Sequence, residues 1–213
     1  MENIIKKFLV CLDCRSDNLV WGDGFIECGE CDKKVKVENG ILRCVDGAYH
    51  SNFGLQWNKF STVQLDSVNG SDESEKRLLN QSKLSPEDFK NKTILEVGAG
   101  NGRFTEIFLK YGARVIAVDF SSAIDANQRN HNKCVEEGRL LLVQGDIFNL
   151  PLIENSFDIV FCYGVIQHTG NNQKAIFELS KYSNKNGRLL IDIYSTSLKH
   201  FNPLIYLVRP FFS

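Results

Sequence analysis

Four cysteines and three glycines are the residues whose types and spacing could do chemistry in this chain of 213 residues. Cys11 and Cys14 form one C-x2-C pair, Cys28 and Cys31 form another, and thirteen residues separate the two pairs. Such a turn presents two thiolates to one point, and two turns close a tetrahedron around one zinc ion. Four thiolates leave no open coordination position, so the expected metal role is structural. Two pairs within 21 residues weaken the competing readings, a redox dithiol or coincidence. The glycines are Gly98, Gly100 and Gly102 in "ILEVGAGNGRF", directly after a strand-like run. The dinucleotide fingerprint places its third glycine one residue later.

The acids around that loop suggest what it binds. A pyrophosphate needs close backbone approach and the positive end of a helix, and a neighbouring carboxylate would repel it. Glu96 lies two residues before Gly98. An acid there suits a ligand that carries positive charge and no phosphate, such as S-adenosylmethionine with its sulfonium and ammonium. Asp119, 21 residues after Gly98, could accept bonds from both ribose hydroxyls. Asp146 could accept from the adenine amino group, with the Ile147 amide near the ring. His168 follows a later strand, where an acceptor would enter. It is a candidate general base for a hydroxyl or an acidic carbon, against the plainer reading of a structural loop histidine. A lone acid at a strand end is often only a helix cap, but here several strand ends carry such groups together.

These residues must be held by elements, and the pattern from Thr93 onward is regular. "TILEV", "RVIAVDF", "LLLVQGD", "FDIVFCYGV" and "GRLLIDIYS" read as strands. "RFTEIFLKYG", "SSAIDANQRNHNKCVEEG" and "NNQKAIFELSKYS" read as helices between them. Alternation of this kind predicts α/β architecture with a doubly wound, mostly parallel sheet. Ligands on such sheets bind beyond the carboxyl ends of the strands, where the suggestive residues fall. Residues 1–48 read as a zinc ribbon, 49–91 as a helical linker or cap, and 92–213 as the cofactor-binding domain. In the linker, Phe53, Trp57 and Phe60 share a helical face. Asp72 and Glu75 stand at capping-box spacing, and Ser85 precedes Pro86 as a helix start. Cys44, Cys134 and Cys162 sit singly in apolar patterns and are expected as core thiols.

Composition is globular, with 43% hydrophobic and 24% charged residues. The formal net charge of −1 gives no global field for nucleic acid. Lys33, Lys34 and Lys36 make only a modest patch. No secretory signal or membrane-length apolar run is visible, which predicts a cytoplasmic location.

"LEVGAGNGRF", "VIAVDFS", "VQGDIFNLPLIENSFDIVFCYGVIQHT" and "LLIDIYS" together resemble class I S-adenosylmethionine-dependent methyltransferases, over residues 92–194. The first 48 residues, through "VENGILRC", resemble the N-terminal zinc ribbon of some bacterial methyltransferases, and "FGLQW" is similar to a feature of those proteins. The resemblance implies a Rossmann-like methyltransferase fold with S-adenosyl-L-methionine as cofactor beside a structural Zn2+. Carried over by position, it implies a cofactor site of Glu96, Gly98, Gly100, Gly102, Asp119, Phe120, Asp146, Ile147 and Tyr163. Many enzymes that methylate amino groups of DNA bases or protein glutamine carry an Asn/Asp-Pro-Pro-aromatic run after the fourth strand. Here that place reads "CYGVIQHT", which favours a small-molecule, glycan or lipid acceptor, with RNA still open. The family's sheet ends in an antiparallel hairpin, and "TSLKHFNPLIYLVRPFFS" does not fit its last two strands. The expectation is therefore a domain lacking those strands, with a protein partner possible at that edge. Two alternatives stay open: a partner-docking ribbon protein with a non-catalytic cofactor domain, and a nicotinamide-dependent oxidoreductase. Glu96 and the short glycine spacing speak against the second.

Overall fold

The computed structural model describes residues 5–45 and 58–193. Phe53, Trp57 and the segment from 194 onward lie outside the described residues, so the expectations about the aromatic face and the missing hairpin fall outside them too. Strands β1 (Leu19–Trp21), β2 (Phe25–Cys28), β3 (Lys34–Glu38) and β4 (Ile41–Arg43) pair antiparallel in succession. Strands β5 (Thr93–Val97), β6 (Arg114–Asp119), β7 (Leu140–Gln144), β8 (Phe157–Cys162) and β9 (Ser183–Ile191) pair parallel. All nine join one sheet in the order β1-β2-β3-β4-β7-β6-β5-β8-β9. The chain starts this parallel part at the centre, winds outward through β6 and β7, then crosses back to β8 and β9. The resulting switch point lies between β5 and β8, where such sheets hold ligands.

Strands β5 to β8 are buried on both faces, as their apolar runs require, while β9 at the edge is only partly covered. Period two splits them. Leu95, Val97, Ile116, Val118, Leu141, Val143 and Val160 belong to one apolar cluster, and Ile94, Val115, Ala117, Leu140, Leu142, Ile159 and Phe161 to the other. Six short helices complete the described fold: α1 (Asp66–Asn69), α2 (Glu73–Ser82), α3 (Arg103–Lys110), α4 (Ile124–Asn130), α5 (Asn132–Glu136) and α6 (Asn172–Ser180). Helix α3 lays Phe104, Ile107 and Phe108 into the second cluster, and α6 lays Ala175 and Leu179 into the first. Among the described residues, no helix is long and apolar enough to cross a membrane.

The ribbon strands do not stand apart. β4 runs parallel to β7, with Ile41 opposite Leu142 and Arg43 opposite Gln144. Ile5, Leu9, Ile26 and Leu42 pack in the same cluster as Leu150, Leu152 and Val160. The Phe8 ring lies 5.4 Å from that of Phe157.

Three local expectations are refined. The helix expected over 121–138 breaks at His131 (φ −126°), where both the backbone N–H and the ring Nδ1 turn back to the Asn127 carbonyl. The Asp72 side chain makes no cap bond on α2. Asp66 of α1 takes that role, accepting from the amides of Ser74 at 3.2 Å and Glu75 at 3.0 Å. Ser85 does start a turn, and Asp88 accepts from its amide and hydroxyl at 2.8 Å each. Cys162 is buried as expected, whereas Cys44 and Cys134 are only partly so.

Leu152, fully buried where the ribbon side meets the parallel sheet, gives a direct test of the shared core. Leu152→Ala should lower stability by about 2–5 kcal/mol, the range for a buried leucine that leaves a cavity. Urea denaturation should read this loss in ribbon and parallel-sheet probes together. A loss confined to one of them would show two separate cores.

Candidate functional site

The glycine loop folds back over the end of β6. The amides of Gly98 and Ala99 donate to the Val118 carbonyl at 2.7 and 3.0 Å. The Gly100 amide donates to Asp119 Oδ2 at 2.8 Å. Asp119 Oδ1 accepts from the Ser121 amide at 2.8 Å and its hydroxyl at 2.7 Å, so the carboxylate is oriented from two loops. The loop needs glycine for close approach. At Gly98 (φ +80°) a Cβ would lie 2.0 Å from Val165 Cγ2, in the loop after β8. At Gly102 (φ +94°) it would lie 2.5 Å from His131 Cε1 and 2.6 Å from Asn127 Oδ1. At Gly100, by contrast, a Cβ would meet nothing within 4 Å.

The other expected residues surround this point. Asp146 closes a tight turn, accepting from the Phe148 amide at 3.0 Å, and the Gly145 amide before it donates to the Asp119 carbonyl at 3.0 Å. Ile147 is buried and Phe120, beside Asp119, is 36% exposed. The Tyr163 ring lies 4.2 Å from Phe161 and 5.8 Å from Phe104. Burial raises its phenol, and the Asp192 carboxylate raises it further. Asp192 also accepts from Arg77 of α2 at 2.7 Å and from the Gly164 amide. His168 is exposed on a short turn (Ile166–His168) just past these residues. The structure thus gathers Glu96, the glycines, Asp119 and Asp146 around adjoining strand ends, with Tyr163 and His168 after β8.

Glu96 lies behind the loop rather than in it. It follows Ile94 on the same face of β5 and is 2% exposed under α3. Its Oε2 accepts from Thr105 Oγ1 at 2.6 Å, Thr105 accepts from Asn127 Nδ2 at 3.0 Å, and Asn127 Oδ1 meets His131 Nδ1 at 3.0 Å. Burial pushes the Glu96 carboxyl up to about 8. The Thr105 hydroxyl pulls the other way, and the Asp119 charge adds to the rise. Burial also lowers the His131 imidazole. Neither the supporting role of Thr105, Asn127 and His131 nor that of Ser121 was visible in sequence. No periodicity marks a hydrogen bond between helices, although Ser121, two residues past Asp119, fits a local turn signal.

The second group is the cysteine cluster. The sulfurs of Cys11, Cys14, Cys28 and Cys31 all lie within 4.8 Å of one another, which suits four Zn–S bonds of about 2.3 Å. The two turns repeat each other. The Asp13 amide donates to Cys11 Sγ and the Glu30 amide to Cys28 Sγ, both at 3.4 Å. Arg15 N donates to the Cys11 carbonyl and Asp32 N to that of Cys28, both at 3.2 Å. Burial opposes ionisation of Cys11, but the amides of Cys14 and Asp13 outweigh it and bring the thiol down to about 7.

Comparison with known proteins follows this geometry. Residues 95–191 match the family model described as a methyltransferase domain. The chain is 32% identical over 112 residues to the mitochondrial ubiquinone biosynthesis O-methyltransferase of Schizosaccharomyces pombe, covering 52% of this chain and 40% of that one. It is 29% identical over 107 residues to the demethylmenaquinone methyltransferase of Thermobifida fusca, covering 50% and 45%. The chain therefore spans less than half the length of these two curated relatives. Among solved structures, it is similar in fold to phosphoethanolamine N-methyltransferase 1 of Haemonchus contortus in complex with phosphoethanolamine and S-adenosylhomocysteine. That likeness has a TM-score of 0.52 and 22% identity over 70% of this chain and 33% of the other.

The buried acid sets a pH dependence. Unfolded, Glu96 titrates near about 4.3; folded, it titrates at about 8. Between these values the folded chain keeps a proton that the unfolded chain releases. Its contribution is complete below the lower value and is lost as pH rises through the upper one. Glu96→Gln should remove this slope, so urea midpoints compared at about pH 5.5 and about pH 8 should fall less in the variant. Equal falls would mean that Glu96 is ionised at both.

Proposed function

We propose that this chain is a class I S-adenosylmethionine-dependent methyltransferase that transfers a methyl group to a small-molecule acceptor, a reading supported by the match of residues 95–191 to a methyltransferase domain. The observation that carries the reading is the bond from the Gly100 amide to Asp119. It brings the glycine loop and a strand-end carboxylate to one edge. Gly98, Gly100, Gly102, Asp119, Phe120, Asp146, Ile147 and Tyr163 would hold the cofactor, with the buried Glu96 backing the glycine loop from behind. Asp119 would take the ribose hydroxyls, Asp146 and Ile147 the adenine edge, and the exposed Phe120 ring its face. When bound, S-adenosylmethionine supplies a methyl group on a sulfonium, whose departure needs little assistance.

The chain's own part is then placement. Alignment of acceptor and donor can supply most of such an acceleration. The Phe104, Phe161 and Tyr163 rings, packed on one another, would wall off one side from water. His168, at the mouth after β8, would take the acceptor's proton where that acceptor is a hydroxyl or an acidic carbon. The names of the quinone-biosynthesis relatives support a small organic acceptor, and glycan or lipid intermediates share the needed chemistry. Ion pairs on the ribbon weaken the RNA alternative. Lys33 meets Asp13 at 3.4 Å, Lys34 meets Glu27 at 3.1 Å and Lys36 meets Glu38 at 2.8 Å, leaving little uncompensated charge for phosphates. The four cysteines fit a structural zinc ion, which would stabilise the ribbon by binding only its folded form.

Calorimetric titration of zinc-replete protein with S-adenosylmethionine should give micromolar binding that Asp119→Ala abolishes. Binding unchanged in the variant would move the cofactor elsewhere. Metal analysis of Cys28→Ser/Cys31→Ser should fall from one zinc per chain to none, and retention of one would discard the tetrahedral site.

A further inference from the structure

We infer that Arg15 is a positioning residue for the cofactor: from the first cysteine turn it holds the backbone of residues 150–152, and with it the loop that presents Asp146 and Ile147. The inference rests on the methyltransferase reading above. It starts from the repeat in the cysteine turns. Arg15 (φ +64°) and Asp32 (φ +57°) follow the second cysteine of each turn and occupy the same left-handed conformation. Their side chains differ in reach. Both are exposed, but Asp32 makes no side-chain hydrogen bond among those described, whereas Arg15 bridges 135 and 137 residues of sequence. Its Nη1 donates to the Leu150 carbonyl and its Nη2 to the Leu152 carbonyl, both at 2.6 Å.

Neighbouring bonds make this a seam. Val10 N donates to the Pro151 carbonyl and Ile153 N to the Phe8 carbonyl, both at 2.9 Å. Each residue from 150 to 153 therefore has a backbone group tied to the segment between Phe8 and Arg15. Residues 146–149, just before the seam, are held differently. Ile147 is buried and the Phe148 ring packs on the first cluster with Lys174 Nζ 4.8 Å over it, but their described backbone bonds close the turn on itself: Phe148 N to Asp146 Oδ1 at 3.0 Å and Asn149 N to the Asp146 carbonyl at 2.9 Å. A turn bonded mainly to itself takes its orientation from its anchored ends. One end is β7, and the other is the seam. Arg15 supplies both side-chain donors of that seam, and a planar guanidinium suits two carbonyls two residues apart. The role predicted for the first cysteine turn is thus to set the adenine side of the cofactor site, far in sequence from any residue that touches the cofactor.

The test uses Arg15→Gly and Arg15→Lys in the zinc-loaded full chain. Glycine accepts the left-handed backbone, so Arg15→Gly deletes the guanidinium while leaving the turn intact. It should keep one zinc per chain and bind S-adenosylmethionine about tenfold more weakly, the size of coupling typical when one contact sets the conformation of a distant site. Arg15→Lys should fall between it and the wild type. 5′-Methylthioadenosine, which has the adenine and ribose without the amino-acid part, should weaken by the same factor. Amide hydrogen exchange should quicken at residues 146–152 and stay unchanged at residues 98–102, a local signature that general destabilisation would not give. Wild-type affinity in Arg15→Gly, or exchange that quickens equally at the glycine loop, would overturn the inference. Wild-type protein that binds neither ligand would overturn the cofactor reading instead, and exchange at residues 146–152 would still report on the clamp.

Discussion

Ile41, Leu42 and Arg43 run along Leu142, Val143 and Gln144 in a parallel ladder, and the rest of the molecule is arranged around that contact. An unpaired edge at β7 would present free N–H and C=O groups to any passing strand. β4 covers it, and the hairpins before β4 extend the same sheet. Arg43 fastens the junction from the side, with its guanidinium on Asp125 of α4 and on Gln144. A small cysteine-rich unit buries little apolar area by itself. Here Ile26 and Leu42 share a cluster with the parallel strands, so packing and metal can both support the ribbon.

The site at the carboxyl ends of the parallel strands is governed by a second constraint, the cost of burying charge. Glu96 is covered by α3 and lacks a cationic partner among its described bonds, so burial holds its proton up to about 8. The hydroxyl of Thr105, the amide of Asn127 and the ring of His131 extend from it in a chain of hydrogen bonds. That chain also backs Gly102, whose missing side chain makes room for Asn127 and His131. A satisfied polar network in a low-dielectric interior is rigid, and this one stands directly behind the loop that Gly100 and Asp119 close. A positively charged ligand in front of the loop would favour release of the proton from Glu96, linking ligand binding to pH by the same reciprocity that links it to stability.

The chemistry legible in the sequence was local. Each C-x2-C pair sets two thiols on one turn, so Cys11, Cys14, Cys28 and Cys31 could be read as a cluster and are found as one. The alternation from Thr93 to Ile191 carried the parallel, doubly wound architecture, because strand and helix periods are written in neighbouring residues. Gly98, Gly100, Gly102, Asp119 and Asp146 could be placed at strand ends for the same reason, and the structure gathers them there. Helix ends were less legible. Asp72 has the right spacing for a cap, but Asp66, several residues upstream, competes for the same amides and takes them.

Sequence alone thus determined the element types, the cysteine cluster and the residues at the ends of the parallel strands, since each depends on spacings of a few residues. Tertiary structure alone decided that β4 pairs with β7, that Glu96 sits under α3 on Thr105, and that Arg15 reaches the Leu150 and Leu152 carbonyls. These contacts join residues up to 137 positions apart, and nothing in the local pattern of either partner names the other. Which donor finds which carbonyl is settled only when packing brings the two segments together and leaves their carbonyls and donors within reach of one another.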